Sequence, residues 1–126
     1  MQPPNGQSTL ATLLAELRAL EERINRLGLC PEDALIVGDA LLAFADREDE
    51  AFSALAQLLD PAARRELASE HQQIAEDLTL LDWLVRATPD SPDIDVLTTS
   101  LLRRMRQHVD RDGRLLARAT GLSPQS

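Results

Sequence analysis

The sequence predicts an all-α protein, an antiparallel up-down-up-down four-helix bundle, and two observations carry that expectation. The apolar residues are mostly Leu and Ala, with two Phe, one Trp and no Tyr, so helix formers dominate and no β-branched or aromatic run marks a strand. These residues recur in steps of three and four, within segments divided by Pro, Gly and short polar turns, as in helices that bury one face. At 126 residues the chain is long enough for one domain with a substantial core.

Residues 1–7 read as a disordered tail. Ser8 can cap a first helix over 8–27, which stops at Gly28 and carries the stripe Leu10, Leu13, Leu14, Leu17, Leu20, Ile24 and Leu27. A second helix over 31–59 starts with Pro31 in its first position and Glu32 and Asp33 in its first turn. Its stripe is Val37, Leu41, Phe44, Phe52, Leu55 and Leu59. Asp60 and Pro61 signal a third helix over 61–87, with Leu67, Ile74, Leu78, Leu81 and Val85. After a turn at 88–91, Ser91, Pro92 and Asp93 open a fourth helix over 92–120, with Ile94, Leu97, Leu101, Met105, Leu115 and Leu116. The bundle thus spans 8–121, and 122–126 form a fraying tail. The short links make neighbouring helices antiparallel. Gly38 and Gly113 fall inside helical pattern, where each costs about 1 kcal/mol relative to Ala.

The formal net charge of −8 argues against a nucleic-acid backbone or an anionic membrane as partner, and leaves a metal cation or a basic protein surface. No apolar run approaches the roughly 18 residues that span a bilayer, and the first residues lack a signal region, so a cytoplasmic location is expected. The single Cys30 cannot form an internal disulfide and reads as a small residue near a helix start. No nucleophile–base pair, Gly-rich phosphate loop or zinc-type Cys spacing is present, and no catalytic residue is assigned.

Four polar residues interrupt the stripes. Glu48 stands between Phe44 and Phe52, His71 between Leu67 and Ile74, and His108 and Asp112 between Met105 and Leu115. Folding the chain about its links, with a rise of about 1.5 Å per residue, puts Glu48, His71 and His108 at one level of the bundle. Asp112 lies one turn further along the His108 face. A buried carboxylate must pair, protonate or bind a cation. Two imidazoles and two carboxylates suit a divalent transition metal such as iron, zinc or manganese, and bundle cores build metal sites from facing helices. The alternative is a buried cluster in which each His pairs with a carboxylate, as the His108 and Asp112 spacing permits.

The arrangement resembles the hemerythrin-like (HHE cation-binding) family. That family is a four-helix bundle that holds two irons with histidines from all four helices and bridging carboxylates. "FADREDEAFSAL" (Phe44 to Leu55) resembles its second-helix His-x-x-x-Glu motif, with Phe44 in the His place and Glu48 as the Glu. "SEHQQIAEDL" (Ser69 to Leu78) resembles the third, with His71, and "HVDRDGRLL" (His108 to Leu116) the fourth, with Asp112 for Glu. On the first helix, "ELRALEERI" (Glu16 to Ile24) puts Leu17 where a His is expected.

Leu17 and Phe44 thus replace the histidines of one iron, and Ala75 lacks the second third-helix His of the oxygen carriers. The resemblance therefore implies a reduced, mononuclear site of Glu48, His71, His108 and Asp112, with iron the implied metal and oxygen or nitric oxide as small ligand. A metal-free scaffold with a vestigial polar cluster is the alternative, and a metal-dependent redox enzyme a third reading.

Asp39, Asp46, Glu50 and Gln57 read as a solvated face, Glu21 and Glu22 as surface charges, and Asp82 as a minor candidate for an inward position. Leu80, Trp83, Leu84 and Ala87 project away from the His71 face, and Leu35 and Leu42 away from the second helix's stripe. Such strips suit helix-on-helix association, so a homodimer through Leu80, Trp83 and Leu84 is expected.

Overall fold

The computed structural model describes residues 6–54 and 60–120, with side chains described over 10–51 and 60–118. Four helices account for nearly all of them: α1 (Gly6–Asn25), α2 (Pro31–Ala54), α3 (Pro61–Ala87) and α4 (Asp93–Thr120). No strand occurs among the described residues. Each helix packs against its two neighbours around a ring, α1 on α2 and α4, and α3 on α2 and α4, and α2 also approaches α4 across the bundle. The protein is an all-α four-helix bundle.

The boundaries follow local chemistry. Pro31 and Pro61 open their helices, where a missing N–H is tolerated. Asp60 occupies the cap position of α3 with extended backbone, yet its side chain makes no capping bond; its carbonyl accepts the Arg64 N–H at 3.0 Å. Ser91 caps α4 through Oγ, which accepts the Asp93 N–H at 3.2 Å. The first helix departs from expectation. It begins at Gly6, so Gly6 and Gln7 are helical rather than tail and Ser8 lies inside the helix. It ends at Asn25, after which Arg26 and Leu27 close tighter turns onto the carbonyls of Arg23 and Ile24. The expected helix over 55–59, with Leu55 and Leu59, the Phe52 side chain, and the two tails at 1–5 and 121–126 lie outside the described residues.

The core is the set of facing stripes. Leu10, Leu13, Leu17, Leu20 and Ile24 of α1 meet Val37, Leu41 and Phe44 of α2, Leu67, Ile74, Leu78 and Leu81 of α3, and Leu101, Met105 and Leu116 of α4. Leu14, Leu27, Val85, Leu97 and Leu115 pack at its margin. Leu35, Leu42 and Leu84, expected on outward strips, are instead partly buried against this core, because the apolar arc of each helix is wider than its central stripe. Leu80 and Trp83 do stand outside, 49% and 57% exposed. Asp82 points outward and pairs with Arg86 at 3.2 Å. One buried charge escapes the pattern: Asp77, at the α3–α4 seam, pairs with Arg104 at 3.0 Å and accepts a bond from Gln73 at 3.2 Å.

The two helical glycines play different parts. A Cβ at Gly38 would lie 2.5 Å from Leu78 Cδ2, and Leu78 is itself core, so α2 and α3 approach closely only because Gly38 lacks a side chain. A Cβ at Gly113 would lie 2.8 Å from Arg18 Nη1, the far end of a half-exposed side chain that pairs with Glu21 at the surface and can swing away. Gly38→Ala is therefore expected to destabilise, since overpacking costs about 1–3 kcal/mol against about 1 kcal/mol of helix propensity. Gly113→Ala is expected to stabilise by up to about 1 kcal/mol. Urea midpoints that move in the same direction for both would contradict this difference.

Candidate metal centre

The inner faces of three helices bring the four stripe-breaking residues together. Glu48 comes from α2, His71 from α3, and His108 and Asp112 from successive turns of α4. The two imidazoles meet edge to face, with ring centroids 4.6 Å apart. Their Nε2 atoms are 3.0 Å apart. Glu48 Oε1 lies 3.9 Å from His71 Nε2, and Asp112 Oδ2 lies 3.9 Å from His108 Nε2. Glu48, His108 and Asp112 are buried, while the His71 side chain retains 19% exposure.

The pairing inside this group is not the His–carboxylate pairing that the spacing along α4 suggests. No N–H or hydroxyl donor reaches the buried oxygens of Glu48 or Asp112, and the two carboxyls meet only each other. His108 and Asp112, spaced to pair along one helix, are too far apart at 3.9 Å for a hydrogen bond. Instead His108 Nδ1 meets Glu70 of α3 at 2.6 Å. Glu70 is in turn held by Arg111, which also binds Glu66 one turn earlier on α3.

Electrostatics follow from burial. Loss of water, and then the Asp112 carboxyl beside it, push Glu48 up to about 11. Burial also raises Asp112, against the lowering influence of its contact with Glu48 and of the His108 ring. Burial, and then the neighbouring His108, lower His71 to about 4. His108 is lowered by burial, against the opposing pull of Asp112. At neutral pH, then, His71 is a neutral imidazole and Glu48 keeps its proton in the absence of a counter-charge.

Three of these donors lie close enough together to serve one divalent transition metal. Metal–nitrogen and metal–oxygen bonds of about 2.0–2.2 Å place any two ligand atoms on one ion no more than about 4.4 Å apart. The separations of 3.0, 3.9 and 3.9 Å fall within that limit. His71, His108 and Asp112 can each offer a ligand atom within 4.8 Å of the others, so small side-chain rotations suffice. Glu48 Oε1 stands 3.9 Å from His71 Nε2 but outside that mutually close trio. Leu17 and Phe44 are fully buried and supply no donor.

Between α3 and α4 a cavity of about 350 Å³ opens beside the group, lined by Ser69, Glu70, Gln73, Arg104, Gln107 and Arg111 and reaching His108. Glu70 did not stand out in the sequence because it lies beside the stripe rather than on it. Its signal is its place next to His71, at nearly the level of His108.

Comparison with protein families, curated proteins and solved structures finds no match to this chain. Fold and site define the class: a four-helix-bundle protein with a buried histidine–carboxylate group between α2, α3 and α4.

Proposed function

We propose that this is a hemerythrin-like metal-binding protein in which Glu48, His71, His108 and Asp112 hold one divalent transition metal. The carrying observation is the pair of buried carboxyls, Glu48 and Asp112, which no N–H or hydroxyl donor reaches, beside the two Nε2 atoms. A positive ion compensates both carboxylates and uses the imidazole lone pairs, whereas a metal-free core must keep a proton between the two carboxyls. Iron is the metal the family resemblance implies, and zinc and manganese also suit the ligands. When bound, the metal supplies a Lewis-acidic position for a small ligand such as oxygen or nitric oxide. The chain's own part is to hold the donors, exclude water around Glu48 and Asp112, and block a second metal with Leu17 and Phe44.

Metal analysis of the purified protein tests the reading. About one equivalent of metal is expected, lost in His71→Ala and in His108→Ala. A folded protein that carries no metal, and gains no thermal stability from iron, zinc or manganese, rules it out. Absorbance changes of the iron form on exposure to oxygen or nitric oxide test the sensing role.

A second reading draws on different observations. With Glu48 raised to about 11, the two carboxyls can share a proton, which makes a metal-free core tolerable. The exposed Leu80 and Trp83 then suit a scaffold that forms a homodimer. Trp83→Glu is expected to convert such a dimer to monomer, and an unchanged mass in solution dismisses that surface.

A further inference from the structure

Glu70 is next to His71 in sequence, yet it serves the other histidine. Its Oε1 lies 2.6 Å from His108 Nδ1, within strong hydrogen-bond distance of a carboxylate acceptor. Arg111 holds Oε2 of Glu70 and also binds Glu66, so the carboxylate is fixed from two sides. A carboxylate accepts, so the His108 ring proton sits on Nδ1 and its lone pair on Nε2. The Nε2 atoms of the two rings, 3.0 Å apart, have room for one hydrogen between them. That hydrogen therefore belongs to His71. The two rings hold opposite tautomers, Nδ1–H on His108 and Nε2–H on His71.

We infer that Glu70, clamped by Arg111, is a positioning residue that fixes the His108 tautomer and presents Nε2 ready-made to a divalent cation, while His71 must exchange its ring proton to bind. The cation's part in this rests on the metal-binding reading above; the tautomer pattern does not. The exchange is proton-neutral. One proton leaves His71 Nε2 for water and one is taken from water at Nδ1. The partial exposure of His71 gives it access to that water. Hydrogen bonds to the far nitrogen of a ligating histidine are the usual means by which a protein orients the ring and raises its basicity.

Long-range ¹H–¹⁵N correlation spectra of the full chain read both tautomers directly. In the metal-free protein His108 is expected as Nδ1–H and His71 as Nε2–H. Zinc is expected to switch His71 to Nδ1–H and leave His108 unchanged. Glu70→Ala is expected to mix the His108 tautomers and weaken zinc binding about 10–100-fold. Glu70→Gln, whose amide oxygen still accepts from Nδ1, recovers most of that loss and guards against a folding defect in the Ala variant. His108 found as Nε2–H in the wild type, or tautomers and zinc affinity unmoved by Glu70→Ala, overturns the inference. Tautomers as stated in a wild type that binds no zinc uphold the role of Glu70 and refute the metal-binding reading instead.

Discussion

Glu48→Gln is expected to stabilise the metal-free protein at neutral pH and to remove its sensitivity to alkali. Burial, and then the adjacent Asp112, raise Glu48 from 4.5 to about 11, so the folded state keeps a proton that the unfolded state releases. The stability contributed by that proton is complete below pH 4.5 and is lost as the pH climbs toward 11. One proton corresponds to a slope of about 1.4 kcal/mol per pH unit, or about 3 kcal/mol already forgone at pH 7.

His71 works in the opposite sense. Its ring is lowered from 6.5 to about 4, so its contribution is complete above pH 6.5 and is lost as the pH falls toward 4. The two slopes oppose one another between pH 4.5 and 6.5; above that window the His71 slope has ended, and Glu48, with the likewise raised Asp112 beside it, sets the fall. Gln has the shape of a protonated Glu, cannot ionise, and can donate its amide to Asp112. Urea unfolding from pH 5 to 9 should show the wild type weakening above pH 7 and the variant level. Zinc is expected to reverse the wild-type slope, because a bound cation favours the ionised carboxylate, and to leave the variant little changed. Wild-type stability that is flat or rising from pH 7 to 9 without metal would falsify this account of Glu48.

This conflict between stability and donor geometry explains which parts of the molecule were legible in the sequence. Pro31, Pro61 and Ser91 act through their own backbone, so the helices they open could be read locally. Leu17, Leu41, Ile74 and Met105 are buried because of a period, which is also local. Glu48, His71, His108 and Asp112 were visible as breaks in that period, and their convergence follows from equal distances to the links. Glu70 breaks no stripe, and its importance comes only from the 2.6 Å approach of a ring on another helix. Asp77 was likewise hidden, because its burial depends on Arg104 and Gln73 meeting it at the α3–α4 seam. The start of α1 at Gly6 has no local signal, because Ser8 is a good cap residue that the helix runs through. Leu84 is partly buried although the stripe of α3 alone points it outward, because the apolar arc that meets the neighbouring helices is wider than that stripe.

Phe44→Ala is expected to be among the most destabilising single substitutions in the described core, and it also tests what keeps Glu48 dry. Phe44 is fully buried one turn before Glu48 on the same inner face of α2. Leu17 of α1, also fully buried, belongs to the same apolar cluster. Truncation to Ala removes the ring and leaves a cavity, with a cost of about 3–5 kcal/mol against a typical total stability of about 5–15 kcal/mol for a domain. The new space lies one turn from a carboxyl that no N–H or hydroxyl donor reaches, so water has a polar reason to enter it. Hydration returns Glu48 toward its ordinary range and flattens the alkaline loss of stability, even as the protein as a whole weakens. Phe44→Leu keeps most of the volume and stays dry, so it should lose less stability and retain the wild-type slope. Denaturant midpoints give the first effect, and ¹³C titration of the Glu48 carboxyl gives the second. A Glu48 titration unchanged in Phe44→Ala would show that α3 and α4, rather than the aromatic ring, exclude water from the group.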